Sequence, residues 1–136
     1  MPNVLRTATP AGDWRSFKFT CEDTDGMLGQ RAAWAAGVPW LWQIEDSVGV
    51  LLETIAFGAQ GVLWYLAEKI MVAKLVDSEA IFLPGDAVYW DPATRLVSPA
   101  AIDSLSVLIG TATEPAGADD VLVEIDLDGG AAVARV

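Results

Sequence analysis

Leu83-Pro84-Gly85-Asp86-Ala87-Val88-Tyr89-Trp90-Asp91-Pro92 reads as turn, short strand, turn. Proline presets φ, glycine permits a positive φ, and aspartate bonds the backbone two residues on. Val88, Tyr89 and Trp90 favour an extended, half-buried surface. Asp91-Pro92 then stops the strand, because proline has no N–H to give a sheet ladder.

The same rhythm of short strand and abrupt turn continues downstream. Ala93-Thr94 turn into Arg95–Ser98, and Pro99–Ser104 form a loop. A strand is expected over Leu105–Thr113, where Gly110 predicts a bulge or a close backbone approach. The clearest alternation is Val121 to Asp128. It predicts Val121, Val123, Ile125 and Leu127 inward, with Glu124, Asp126 and Asp128 on the solvated face of an edge strand.

Upstream, Trp14–Thr20 alternates with Phe17 and Phe19 on one face, which predicts the first strand. Glu22–Gly26 is an acidic turn. Gln30–Ala36 is alanine-rich and predicts a turn of helix ended by Gly37 and Pro39. Val38–Ile44 follows as a strand whose Trp40 and Trp42 share a face. That spacing assigns at least one of them to the core and the other to an interface. Glu45-Asp46-Ser47 turns into an extended stretch over Val48–Ala56, and Phe57–Gly61 turns again. Residues Val62–Val76 fit a helical stripe and strand alternation equally well. Their surroundings favour two short strands joined tightly at Ala67-Glu68-Lys69.

Residues 1–13 contain two prolines and no apolar period, so they are expected to form an extended arm before a single domain spanning 14–136. The fold class is mainly β: one small β-barrel or β-sandwich with at most one short helix.

Composition narrows the function. Nineteen acids against 8 bases give a net charge of −11, which disfavours nucleic acid and anionic membrane surfaces as partners. Hydrophobic residues make up 53% of the 136, enough for a core without disulfides or metal. Cys21 is the one cysteine, which suits a reducing compartment and a buried thiol. Histidine is absent, which removes His-based acid–base work, the usual nucleophilic triads and the usual zinc sites. Residues 1–10 lack the apolar core of a secretory signal, and charges interrupt every apolar run short of the ~18 residues a membrane helix needs. A soluble intracellular chain is expected.

The remaining chemical candidates have structural readings. Glu22–Gly26 lacks the bidentate glutamate of a calcium loop. Asp86 and Asp91 flank a strand like paired carboxylates, yet both stand where turns select aspartate. Lys69 and Lys74 would need desolvation to act in catalysis, and no local pattern indicates it. The glycines make no phosphate cradle. The expectation is no enzyme, no cofactor and no metal.

Several segments then occur in a telling order. They are Val48-Gly49-Val50, Gly58-Ala59-Gln60-Gly61, Met71-Val72-Ala73-Lys74, the Leu83–Asp91 stretch, Leu108-Ile109-Gly110-Thr111-Ala112 and Asp120–Leu127. Over residues 38–128 the series resembles the capsid cement, or head decoration, proteins of tailed bacteriophages. The chain departs from that pattern in carrying Glu68-Lys69 where relatives often have glycine, and in its tryptophan-rich start. The resemblance implies a β-tulip-like fold and a structural role on the outer surface of the virion capsid. It implies binding the expanded head, with the major capsid protein and further copies of this chain as partners, in a homotrimer or alternatively a dimer. Val4, Leu5 and Arg6 of the arm, together with Trp14, Trp34, Trp40 and Trp42, are the candidate contact residues. Competing readings are a tail, neck or receptor-binding virion module, a small-ligand-binding barrel lined by tryptophans, and a metal-dependent hydrolase.

Overall fold

The computed structural model describes residues 14–134. In chain order the elements are β1 (Arg15–Thr20), α1 (Gln30–Ala36), β2 (Leu41–Ile44), β3 (Ser47–Val50), β4 (Gln60–Ala73), β5 (Ala87–Trp90), β6 (Val97–Ser98), β7 (Val107–Ala112) and β8 (Leu122–Asp128). All eight strands join one antiparallel sheet in the order β2-β3-β4-β8-β7-β5-β6, with β1 added against β4. The sheet curls into an open half-barrel with β2 and β6 at the ends of the path. The expected mainly-β, barrel-like fold with one short helix is what the chain forms.

The turn chemistry at the central stretch is realised atom by atom. Gly85 takes φ 91°, and Asp86 Oδ2 accepts the Leu83 N–H at 2.8 Å. β5 follows with Val88 and Trp90 buried. Asp91 closes it by accepting from the Ala93 N–H at 3.2 Å and from Thr94 Oγ1 at 2.9 Å. Gly110 makes the predicted close approach, since a Cβ there would lie 2.0 Å from the Asp126 carbonyl oxygen.

Residues 62–76 do not form two short strands. β4 is one strand of 14 residues, pairing with β1 through Gln60–Leu66 and with β8 through Leu66–Ala73. Ala67-Glu68-Lys69 is a bulge within it, where the register shifts between Ala67 and Ile70 and Lys69 adopts φ 52°. The Lys69 N–H, released from the ladder, donates to Asp126 Oδ1 at 3.0 Å. The local reading saw the break in alternation but not that neighbouring strands on both halves keep the chain extended.

β8 also differs from expectation. It pairs with β4 and with β7, so it is an interior strand rather than an edge. Val123, Ile125 and Leu127 are buried as expected, but Val121 precedes the strand and is 50% exposed. Glu124 is buried, and its carboxylate accepts from Thr113 Oγ1 at 2.9 Å. The stretch after β3 is a loop, with only an isolated Met27–Ile55 bridge, and the strand expected over Arg95–Ser98 is reduced to Val97–Ser98. Arg95 itself takes φ 58°.

Two clusters fill the fold. The larger runs through the sheet and includes Trp40, Val72, Phe82, Val88, Trp90, Ile109 and Ile125. The smaller gathers Cys21, Met27, Leu51, Ile55 and Leu63, with Phe17, Phe19, Trp42 and Ile44 packed against it. Truncating a large aromatic in such a core costs about 3–5 kcal/mol, so these contacts decide whether the domain stands.

Candidate functional site

Among the described residues the paired carboxylates singled out by the sequence are engaged in turns. Asp86 and Asp91 spend their oxygens on turn N–H groups, and Asp23 Oδ1 likewise accepts the Asp25 N–H at 3.0 Å. Among the described residues no group of three or more His, Cys, Asp or Glu side chains is placed to hold a metal. Cys21 is buried. No helix of the described residues is long and apolar enough to cross a membrane.

Lys74 corrects one expectation: it is desolvated. The residue is 2% exposed at the end of β4, and burial pulls its pKa below the ordinary 10.5, against the opposing pull of Asp120, Asp119 and Asp77. Its ammonium is occupied structurally. Nζ donates to the carbonyls of Leu75 at 2.7 Å and Asp120 at 3.1 Å, and more weakly to Ala118 at 3.4 Å. It clamps the approach to β8 against the end of β4.

The tryptophans separate into different roles. Trp40 lies just before β2, fully buried, with Nε1 donating to the Met71 carbonyl at 3.1 Å beside the Gln30 amide, which donates to the same oxygen. Trp42 turns to the smaller cluster, and its Nε1 donates to the Leu28 carbonyl at 2.9 Å. The two belong to different clusters because β2 begins only at Leu41, so strand alternation does not carry back to Trp40. Trp14 is half-buried and meets Trp64 edge-on at 6.0 Å. Val4, Leu5 and Arg6 lie outside the described residues.

Trp34 is the exposed member. At 40% exposure near the end of α1, it stands edge-on against Trp40 with ring centroids 5.8 Å apart. Gly37 ends the helix there, its N–H accepted by the Trp34 carbonyl at 3.0 Å. Trp34 borders a groove of about 490 Å³ whose walls include Pro39, Leu75, Val76, Leu96 and Val121. Val76 and Val121 are also exposed, at 53% and 50%, so the groove presents apolar side chains to solvent on a rigid support. Sequence reasoning found Trp34 but missed Val76 and Val121. Alternation had turned Val121 inward, and only the observed start of β8 at Leu122 brings it to the surface.

Residues 23–127 match the phage cement protein family. The chain belongs to that family. No curated protein matches it. A phage cement protein is a structural, non-enzymatic component of the virion, located on the outer capsid surface and associated with the capsid. In this cement protein the features available for such a role are therefore surfaces, and the groove beside Trp34 is a candidate for one of them.

Proposed function

We propose that the chain binds the outer surface of the expanded head, bridges neighbouring major capsid subunits and so stabilises the shell. The observation that carries this reading is the Trp34 groove. Exposed Trp34, Val76 and Val121 sit over buried Trp40 and Lys74, so the contact surface is backed by residues that do not yield. Tryptophan is among the residues enriched at the energetic centres of protein interfaces. The stabilisation is mass action: a ligand that binds only the expanded lattice lowers its free energy relative to any disrupted form.

Residues 1–13 serve as an arm to a neighbouring subunit, with Val4 and Leu5 as apolar contacts and Arg6 as the lone base, while the rest of the chain is the docking body. The family resemblance supports a homotrimer at local threefold positions. The solution mass of the purified protein separates that from a dimer.

The test is sedimentation with expanded, undecorated heads. Saturable binding at a lattice stoichiometry is expected, and Trp34→Ala is expected to weaken it about 30-fold, as for an interface hot spot. Absence of binding to any head form would refute the reading. Undiminished binding by the variant would remove the groove from it.

A further inference from the structure

The Trp34 groove has a charged rim as well as an apolar floor. Two stretches of chain meet at its wall: the end of β4 running on through Val76, and the approach to β8 at Val121. The Lys74 N–H donates to the Val121 carbonyl at 2.9 Å, and Lys74 Nζ bonds the carbonyls of Leu75 and Asp120, so the two stretches are fixed side by side. Each carries acid next to its exposed valine. Asp77 and then Glu79 follow Val76, and Asp119-Asp120 precede Val121.

The groove's lining among the described residues holds a single charged side chain, Lys74, which is 2% exposed and bonded to carbonyl oxygens. Burial lowers its pKa while Asp120, Asp119 and Asp77 each pull the other way, which places those three carboxylates within electrostatic reach of the groove. Asp77, Glu79 and Asp119 are exposed. Asp77 and Asp120 each give one carboxylate oxygen to a turn N–H, of Glu79 at 2.9 Å and of Gly117 at 2.7 Å. Those bonds fix where the charge sits without neutralising it. Arg31, one helical turn before Trp34, is not part of the lining, and Arg95 lies over the Trp42 ring.

Sign selects the occupant. The apolar floor takes apolar side chains, and a rim of clustered carboxylates favours cationic ones. A second copy of this chain, at net charge −11, brings like charge to the rim. Nucleic acid and anionic lipid are repelled for the same reason. The partner left is the capsid with which cement proteins associate, and the part of it that fits is basic.

We propose that the Trp34 groove takes a basic segment of the major capsid protein: an apolar side chain seated among Trp34, Val76 and Val121, flanked by Lys or Arg side chains that meet Asp77 and Asp119. The inference rests on the capsid-binding reading above and adds to it the chemistry of the partner. Charge guides the docking, and the apolar contact holds it.

The experiment measures affinity for expanded, undecorated heads and compares two near-isosteric double variants. Asp77→Asn with Asp119→Asn removes two charges at the rim and keeps an amide oxygen to accept the Glu79 N–H. Glu22→Gln with Asp25→Asn removes two from the exposed turn after β1 and leaves the rim intact. The rim variant is expected to bind about 5- to 10-fold more weakly, and the control like wild type. Raising ionic strength from about 0.1 to about 1 M shortens the screening length from about 10 to about 3 Å. That change should weaken wild-type binding by a similar factor and the rim variant far less. Wild-type affinity in the rim variant, while Trp34→Ala still loses binding, would overturn the basic occupant and leave the groove reading intact. Tighter binding by the rim variant would identify an acidic partner surface and overturn it as well. Equal losses in the rim and control variants would trace the effect to net charge and overturn the assignment to the groove. If Trp34→Ala broke a solution oligomer yet bound heads normally, the groove would belong to a second copy and the proposal would fail. Failure of the wild type to bind heads would overturn both readings.

Discussion

Replacing Lys74 by Met tests whether a buried ammonium holds the end of β4 to the approach to β8. The substitution keeps the length and apolar character of the stem and removes only the donor. It leaves the carbonyls of Leu75 and Asp120, now bonded at 2.7 and 3.1 Å, without their partner, and also loses the longer contact to Ala118. A hydrogen bond to a charged group is worth about 1.5–3 kcal/mol. Relief of the desolvated charge offsets part of the loss, so the lower figure applies to each of the two short bonds, about 3 kcal/mol in all. For a domain of this size that is a fall in Tm of about 12 °C. Thermal unfolding followed by tryptophan fluorescence reads it directly. Titration supplies a second signature. Because burial lowers the folded-state pKa below 10.5, the unfolded chain holds more protons between the two values, and the contribution of this group to stability rises with pH across that window. The gap between wild type and Lys74→Met should therefore widen as the pH is raised towards 10.5. A variant melting within about 2 °C of wild type would refute the clamp, whereas a gap that narrows with pH would show that the folded state holds the proton more tightly than the unfolded chain and would refute the dominance of desolvation.

Other positions give sharp outcomes. Lys69→Gly should stabilise the protein by up to about 1 kcal/mol in urea unfolding, because φ 52° strains a side chain and suits glycine; a loss would mean the Lys69 side chain contributes packing. Gly110→Ala should be severely destabilising, since its Cβ would fall 2.0 Å from the Asp126 carbonyl oxygen, and a normal melting curve would show that β7 and β8 can separate there. Trp40→Ala should cost about 3–5 kcal/mol of stability and half-buried Trp42→Ala clearly less; equal losses would contradict their separate placements. Deleting residues 1–13 should leave the melting temperature of the body unchanged and lower its occupancy on heads, and full occupancy would remove the arm from the mechanism.

What was legible in the sequence was short in range. Pro84-Gly85-Asp86 and Asp91-Pro92 act through bonds to residues two or three away, so their types alone announce turns. Helix α1 needed only alanines and a following glycine. Gly110 stood out because a glycine in a strand has few other reasons to be there. The candidate surface was half legible. Tryptophans flagged it, but which one reaches solvent depends on whether the chain has entered β2 by Trp40, and the exposed Val121 depends on where β8 starts.

By itself the sequence determined the mainly-β architecture, the turns at Pro84-Gly85-Asp86 and Asp91-Pro92, and the lack of histidine, since each follows from residue type and near-neighbour spacing. Only the tertiary structure decided that β4 runs unbroken through Glu68-Lys69, that β8 is interior with Glu124 buried, and that Lys74 is desolvated. It also brought Arg95 over Trp42. The reason is common to all of these. Burial and strand neighbours are set by segments far away in the chain, and the free energy of satisfying a ladder or a buried charge outweighs the local preference at any one residue.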